Sequence, residues 1–445
     1  MIGGYQFQSP WHFSASSLNL GVCSLRTKGE IMVNNWRRLI GALGIVGALA
    51  LTACGSSGDE ATPPLDIDAA MVEIETAAEE FLESSGAPGL TMAVLFPDGD
   101  GGVIERTLAV GMSDVAADQA AAVTDHYRFG SITKTMTSAV VLQLVDEGLI
   151  GLDEPVSTYL GAGWAEGYVW EGVDYGDKVT IRQILNHTDG FAEFAFDPEF
   201  YIQSSLRMET PYEPEEIVQW AVKRGPQYEP GGDYLYNTVG HVVAGLVIEK
   251  VTGKTAEELL RTRLFEPVDA SDAYLAPTVY SPEDGVAGYV QGELKAAIDL
   301  LPGYQPYREE AAVGDFYDVT VAPQAVLRSA GWTGGGIEAQ ADDVARIFRS
   351  LFTTVVTDDE LVEFLKPSSY SDYGLGVSVG EKAGAKTYSH GGGVPGFRSE
   401  ALFAPDLDVT IAVSTNLIAI DPDIGSLTDK MMEIITAAFA AAEAE

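Results

Sequence analysis

The chain has 445 residues, 46% of them hydrophobic and 9% aromatic, enough to bury a large core and too many for a disordered chain. Its 26 basic residues face 66 acidic ones, giving a net charge of −40. Phosphate backbones are held by Lys and Arg, so no nucleic-acid partner is expected. Only two cysteines occur, Cys23 and Cys54, which excludes a disulfide framework.

The N-terminal region reads as an address. NNWRR leads into the apolar residues 39–53 (LIGALGIVGALALTA) and then Cys54. That run is shorter than the roughly 20 residues a membrane span needs, and its layout is that of a secretory leader. Leu51-Thr52-Ala53-Cys54 resembles a bacterial lipobox, in which the cysteine is acylated and becomes the first residue. The bland alternative is a plain leader with a chance cysteine. Residues 1–31 have no place in such a leader, so translation is expected to start at Met32, with residues 32–53 as the signal peptide. Residues 54–65 read as a flexible tether and 66–445 as the folded domain.

Over 65–85, apolar residues recur at helical spacing (Ile67, Ala70, Met71, Ile74, Ala78, Phe81, Leu82) and predict a helix. GLTMAVLFPDGDGGVIERTLAVG predicts two strands joined by a Gly/Asp turn. The strand-like Tyr127-Arg128-Phe129-Gly130 then runs into a long apolar helix over 131–148, stopped by a glycine. Residues 150–325 read as helical patches between Pro- and Gly-rich loops, 375–417 as strands, and 427–442 as a closing amphipathic helix. Strands at both ends with helices between predict an α/β (α+β) fold. Its sheet, flanked by helices, comes from about 66–130 and 330–445, and a mostly helical lobe, about 135–325, is inserted.

Ser131-Ile132-Thr133-Lys134 carries the first chemical signal. At i and i+3 on a helix the two side chains share a face, so the amine can meet the hydroxyl. A serine hydroxyl becomes a useful nucleophile when a neighbouring base takes its proton, and an amine can do so once burial lowers its pKa. The helix N-terminus adds N–H groups and a positive potential where an oxyanion would form. Alone, the spacing is weak and also fits a helix-capping serine followed by a surface lysine. The apolar helix that follows, TMTSAVVLQLV, argues against a solvated lysine.

FGSITKTMTSAVVLQLVDEG, VTIRQILNHTDGF, YEPGGDYLYNTVGHVVAGLVIEKVTGKT and YSHGGGVPGFRSE together resemble the serine β-lactamase and penicillin-binding-protein superfamily. The likeness is to its class C and D-alanyl-D-alanine carboxypeptidase branch, which also holds esterases, and it covers about 66–440. The resemblance implies a β-lactamase/transpeptidase-like fold with Ser131 as nucleophile and Lys134 with Tyr236 as general base. It puts Tyr236 on the tyrosine of the Tyr-x-Asn motif, with Tyr234 as a rival. Asn237 takes the middle position and Thr238 stands where asparagine is usual, a departure that shortens the side chain offered to substrate. The third motif, Lys-Thr-Gly in many relatives, reads His390-Gly391-Gly392, the form of the peptidase and esterase branches, and the resemblance counts His390 among the catalytic residues as a hydrogen-bonding, titratable group on the far side of Ser131. By the family's geometry, the amides of Ser131 and Gly393 would make the oxyanion hole, and Asn237, Thr238, Gly391 and Gly392 would line the substrate.

Other patterns read as structural. Gly376-Val377-Ser378-Val379-Gly380 matches a nucleophile elbow, but a turn and a strand follow Ser378 where a helix is required. His187, with Asp189 in place of serine, resembles the family's structural His-Thr-Ser-Gly turn. His126 and His241 lack partners at metal-ligand spacing, so neither metal nor cofactor is expected. Gly334-Gly335-Gly336 reads as a turn before an Asp-capped helix. The expected protein is a monomeric envelope lipoprotein, membrane-held through Cys54, acting on a small molecule or a peptidoglycan peptide. D-Ala-D-Ala carboxypeptidase and esterase lead, β-lactamase is the alternative, and a slowly turning over penicillin-binding or sensor domain is the rival of another class.

Overall fold

A computed structural model describes residues 65–276 and 285–444. The leader, Cys54 and nearly all of the tether lie outside the described residues. The first described helix, α1 (Ile67–Ser85), opens where the Asp66 carboxylate accepts the Ala69 N–H at 3.0 Å and closes on Gly86 in the left-handed region. Its buried residues Ile67, Ala70, Ile74, Ala78 and Phe81 fall three or four apart and form one apolar stripe.

Strands β1 (Gly89–Pro97), β2 (Val103–Asp114) and β3 (Gln119–Ala120) follow, then the short β4 (Tyr127–Gly130). From the C-terminal part come β5 (Ile337–Ala339), β6 (Ser378–Lys382), β7 (Ala385–Val394), β8 (Phe397–Ala404) and β9 (Val409–Thr415). The main sheet is antiparallel in the order β6-β7-β8-β9-β1-β2-β3, so strands from both ends of the chain meet where β1 pairs with β9. Side chains alternate across the sheet. Leu90, Met92, Val94 and Phe96 join α1 and the C-terminal helix in one core, while Ala93 and Leu95 join the opposite one. Burying each large apolar side chain contributes about 1.5–3 kcal/mol. That second core continues through the helical part, from Val140 to Ile184 and Val243, so sheet and insert share one interior.

Four further helices matter here: α2 (Thr133–Asp146), α3 (Val239–Thr252), α4 (Ala341–Ser350) and α5 (Ile424–Ala444). Helix α2 is buried on nearly every side from Thr133 to Leu142, which explains its apolar sequence. It starts two residues later than the sequence suggests. The Thr133 hydroxyl donates to Gly130 O at 2.6 Å and ties Ser131 and Ile132 into a turn. Within 150–325 the chain also forms short strands. Tyr274–Leu275 pairs with β5, which pairs with β4, and Tyr289–Val290, Phe316–Asp318 and Ala312–Val313 make a second small sheet. The helix after the three glycines is capped by Gln340 without a side-chain bond, a correction to the Asp cap expected. Its Asp343 instead accepts the Asp272 N–H at 3.1 Å.

Candidate active site

Three segments far apart in sequence come together: the turn between β4 and α2, the start of α3, and β7. Strand β4 sets the first. The Ser399 hydroxyl donates to Phe129 O at 2.9 Å, and Gly130 adopts a positive φ of 55° that favours glycine. The chain therefore turns sharply and leaves Ser131 half-buried at the mouth of a buried helix.

Lys134 is fully buried, and its ammonium has three acceptors around it. Nζ lies 3.0 Å from Ser131 Oγ, 3.3 Å from Thr238 Oγ1 and 2.6 Å from Gly334 O. Three acceptors satisfy three N–H donors. Loss of water nevertheless dominates and pushes the lysine down from 10.5 to about 7, with the Glu193 carboxylate acting in the opposite sense. The amine also sits 4.9 Å from the centre of the Tyr236 ring. Burial holds the Tyr236 phenol well above its ordinary value, and a hydrogen bond with Ser131 works the other way. Tyr236, not Tyr234, meets the serine and lysine; the Tyr234 ring packs edge-on against His187 at 5.8 Å.

His390 on β7 is buried, with its ring 6.1 Å from that of Tyr236. Its nitrogens are occupied away from Ser131, a correction to the titratable catalytic group expected there. Nε2 accepts from the Tyr373 hydroxyl at 2.8 Å, and Nδ1–H donates to Gly391 O at 2.6 Å, a tautomer assigned from this network. Burial first, then the nearby Lys134 charge, pushes this imidazole down to about 3, so it is neutral. Gly393 adjoins the serine turn: a Cβ on Gly130 would stand 2.9 Å from Gly393 N.

Two expected substrate contacts are corrected. Asn237 is fully buried and turned away. Its amide donates to both Asp189 oxygens at 3.1 and 3.2 Å, and its Oδ1 accepts the Gly240 N–H at 2.8 Å. A short polar side chain just before α3 is drawn to the helix's free N–H groups and to a buried carboxylate. Gly392 is buried too, and a Cβ there would lie 2.0 Å from Phe129 O; it is a glycine so that β7 can approach β4. Gly391 is exposed, and Thr238 contributes its hydroxyl to the lysine.

Three residues on the site escape sequence reasoning. Glu193 accepts the Thr238 N–H on one oxygen and the Ala195 N–H at 2.8 Å on the other. Its signal was an acidic residue inside the apolar GFAEFAF, soon after the His187 turn. Tyr373 holds His390, and Gly334, read as a plain turn, supplies a carbonyl to Lys134. His187 has a positive φ of 59°, lies buried and packs against Tyr236 with the rings tilted, 4.5 Å between ring centres. Its neighbour Asp189 is pushed up to about 7 by burial. His126 bonds Asp272 O at 3.2 Å and His241 bonds Ser138 Oγ at 3.1 Å. Ser378 begins β6, paired with Ser389, and no helix follows it.

The chain is similar to known proteins in sequence and in fold. The Beta-lactamase family model matches residues 74–423. The chain is 24% identical over 285 residues to penicillin-binding protein 4* of Bacillus subtilis, covering 61% of this chain and 56% of that protein. It is 26% identical over 258 residues to lovastatin esterase of Penicillium rubens, covering 56% of this chain and 59% of that one. It thus spans less than two thirds of either relative. Among solved structures, a D-stereospecific amidohydrolase from Streptomyces superposes with a TM-score of 0.65 at 26% identity, over 81% of this chain and 97% of the other.

Proposed function

The chain belongs to the Beta-lactamase family, and from that premise we propose that it is a serine hydrolase acting through an acyl-enzyme on Ser131, at the outer side of a membrane, on small esters or D-configured peptides and amides. The observation that carries the reading is a fully buried Lys134 amine 3.0 Å from the Ser131 hydroxyl, with its pKa near neutrality. Such an amine is deprotonated in a large share of molecules at pH 7 and can take the serine's proton. Ser131 then attacks the substrate carbonyl, whose developing charge meets the amides of Ser131 and Gly393. The neutral phenol of Tyr236 passes a proton to the leaving group and regains the one taken up by Lys134, and water then releases the acyl chain.

Substrate class rests on what the site offers. No asparagine amide reaches the cleft from α3, because Asn237 is committed to Asp189. Gly391 gives the middle of the third motif no hydroxyl. Both features favour a small ester or amide over a β-lactam with its acylamide arm. Similarity to lovastatin esterase of Penicillium rubens and to the D-stereospecific amidohydrolase of Streptomyces supports the same choice. Export and acylation at Cys54 rest on the leader pattern in residues 32–54.

The test is hydrolysis of p-nitrophenyl butyrate, a D-amino-acid amide and a D-Ala-D-Ala peptide, alongside a time course of labelling by a fluorescent penicillin. Ester or D-amide turnover that vanishes in Ser131→Ala supports the reading; activity retained in that variant defeats it. A stable penicillin adduct without turnover of any substrate would favour a sensor. Incorporation of a palmitate analogue, lost in Cys54→Ser, tests the anchor.

A further inference from the structure

Thr238 stands between a buried amine and a buried carboxyl group. Its hydroxyl oxygen lies 3.3 Å from Lys134 Nζ, its N–H donates to Glu193 Oε2, and its side chain also hydrogen-bonds that carboxylate. Glu193 is fixed from its other oxygen by the Ala195 N–H at 2.8 Å, so the carboxylate is held facing Thr238. A hydroxyl can accept from one partner while donating to another, whereas the amide of asparagine cannot pass a proton on. We propose that Lys134, Thr238 and Glu193 form a proton relay in which Glu193 is a positioning residue that stores the proton taken from Ser131. This rests on the serine-hydrolase reading above and adds a residue to it.

The step balances. As Ser131 attacks, its O–H bond breaks and an N–H bond forms on the neutral Lys134 amine. A second N–H of that ammonium gives its proton to Thr238 Oγ1, and the threonine's own proton passes to the Glu193 carboxylate. Lysine ends neutral, Glu193 ends as the acid, and no co-reactant is needed. The return path hands the proton back to the leaving group. Burial suits both ends, since it lowers the lysine and raises the glutamate, bringing donor and acceptor together. The groups that face Glu193 electrostatically are Lys134 from α2, Tyr236 and Thr238 from the start of α3, Asp189 from its own loop, and Tyr201 from the following helix. Lys134 is the cation among these; the two tyrosines are held neutral by burial.

The experiment is the pH profile of kcat and KM on p-nitrophenyl butyrate for the full chain and for Glu193→Gln, Thr238→Val, Thr238→Ser and Ser131→Ala. The relay requires that Glu193→Gln and Thr238→Val each lower the plateau kcat by about tenfold or more with KM little changed. Thr238→Ser, which keeps the hydroxyl, restores it. In Glu193→Gln the acid limb also moves to lower pH, because the carboxylate that raises Lys134 is gone. A limb that moves while the plateau stays overturns the relay, leaving Glu193 a local charge. Equal rates for Thr238→Val and Thr238→Ser overturn it as well. Loss of all turnover in Ser131→Ala shows that the serine reading stands whichever way these results fall.

Discussion

The hydroxyl of Tyr373 donates to Nε2 of His390 across 2.8 Å, and with Nδ1 bound to Gly391 O the imidazole has no free nitrogen for Ser131. A neutral, doubly engaged histidine shapes the wall of the cleft and does not titrate near neutrality. Activity is therefore expected to rise with pH through a single limb near 7, set by Lys134, which must lose its proton to act. His390→Gln should leave that midpoint in place even if it lowers the rate. A midpoint that moves with His390, read from kcat/KM across pH 4 to 9, would reassign the limb. Tyr373→Phe removes one buried hydrogen bond and should cost about 0.5–1.5 kcal/mol of stability, measured by denaturant unfolding.

Lys134 has its own signature in stability. Its folded pKa lies below the ordinary 10.5, so between about 7 and 10.5 the unfolded chain binds a proton that the folded chain does not. The penalty of burying the amine is full below about 7 and fades as pH rises to 10.5. Lys134→Met removes the titrating group altogether. Melting temperatures of variant and parent should differ most in the variant's favour at pH 6, with the difference shrinking toward pH 10. A difference that stays flat with pH would mean that burial does not hold the amine down.

Asn237 is expected to matter for stability and little for substrate affinity. It satisfies the buried Asp189 carboxylate and a free N–H of α3. Asn237→Ala leaves the Gly240 N–H without its acceptor and Asp189 with only backbone donors such as the Phe191 N–H, at a cost of about 1–3 kcal/mol. Equilibrium unfolding should register that loss while KM for an ester stays within about twofold. A large rise in KM with unchanged stability would return the residue to the cleft.

Neighbouring glycines on β7 should respond in opposite ways. A Cβ on Gly392 would meet Phe129 O at 2.0 Å, so Gly392→Ala must push β7 away from β4. Overpacking of this kind costs about 1–3 kcal/mol and moves the Gly393 amide beside Ser131, so turnover should fall with the melting temperature. On Gly391 the first atom met is Ser399 O at 3.8 Å, an ordinary contact. Gly391→Ala should fold as the parent does, and thermal melts of the pair give the comparison.

Much of this protein is legible along the chain because the signals are local. The alternation in TMAVLF, the apolar stripe of α1 and the i, i+3 spacing of Ser131 and Lys134 each depend on the geometry of a single element. Order and spacing of the motifs point to Tyr236 and His390, but not to the bonds that engage the imidazole with Tyr373 and Gly391 instead of Ser131. What the sequence could not determine is which way a side chain turns once segments meet. Asn237 and Thr238 are adjacent, yet one faces Asp189 inside the molecule and the other faces Lys134. Glu193 belongs to the site because a loop carries it there, 59 residues after Lys134 in sequence. Partners that lie far apart in the chain are chosen by which buried polar groups would otherwise go unsatisfied, and that competition is settled only in three dimensions.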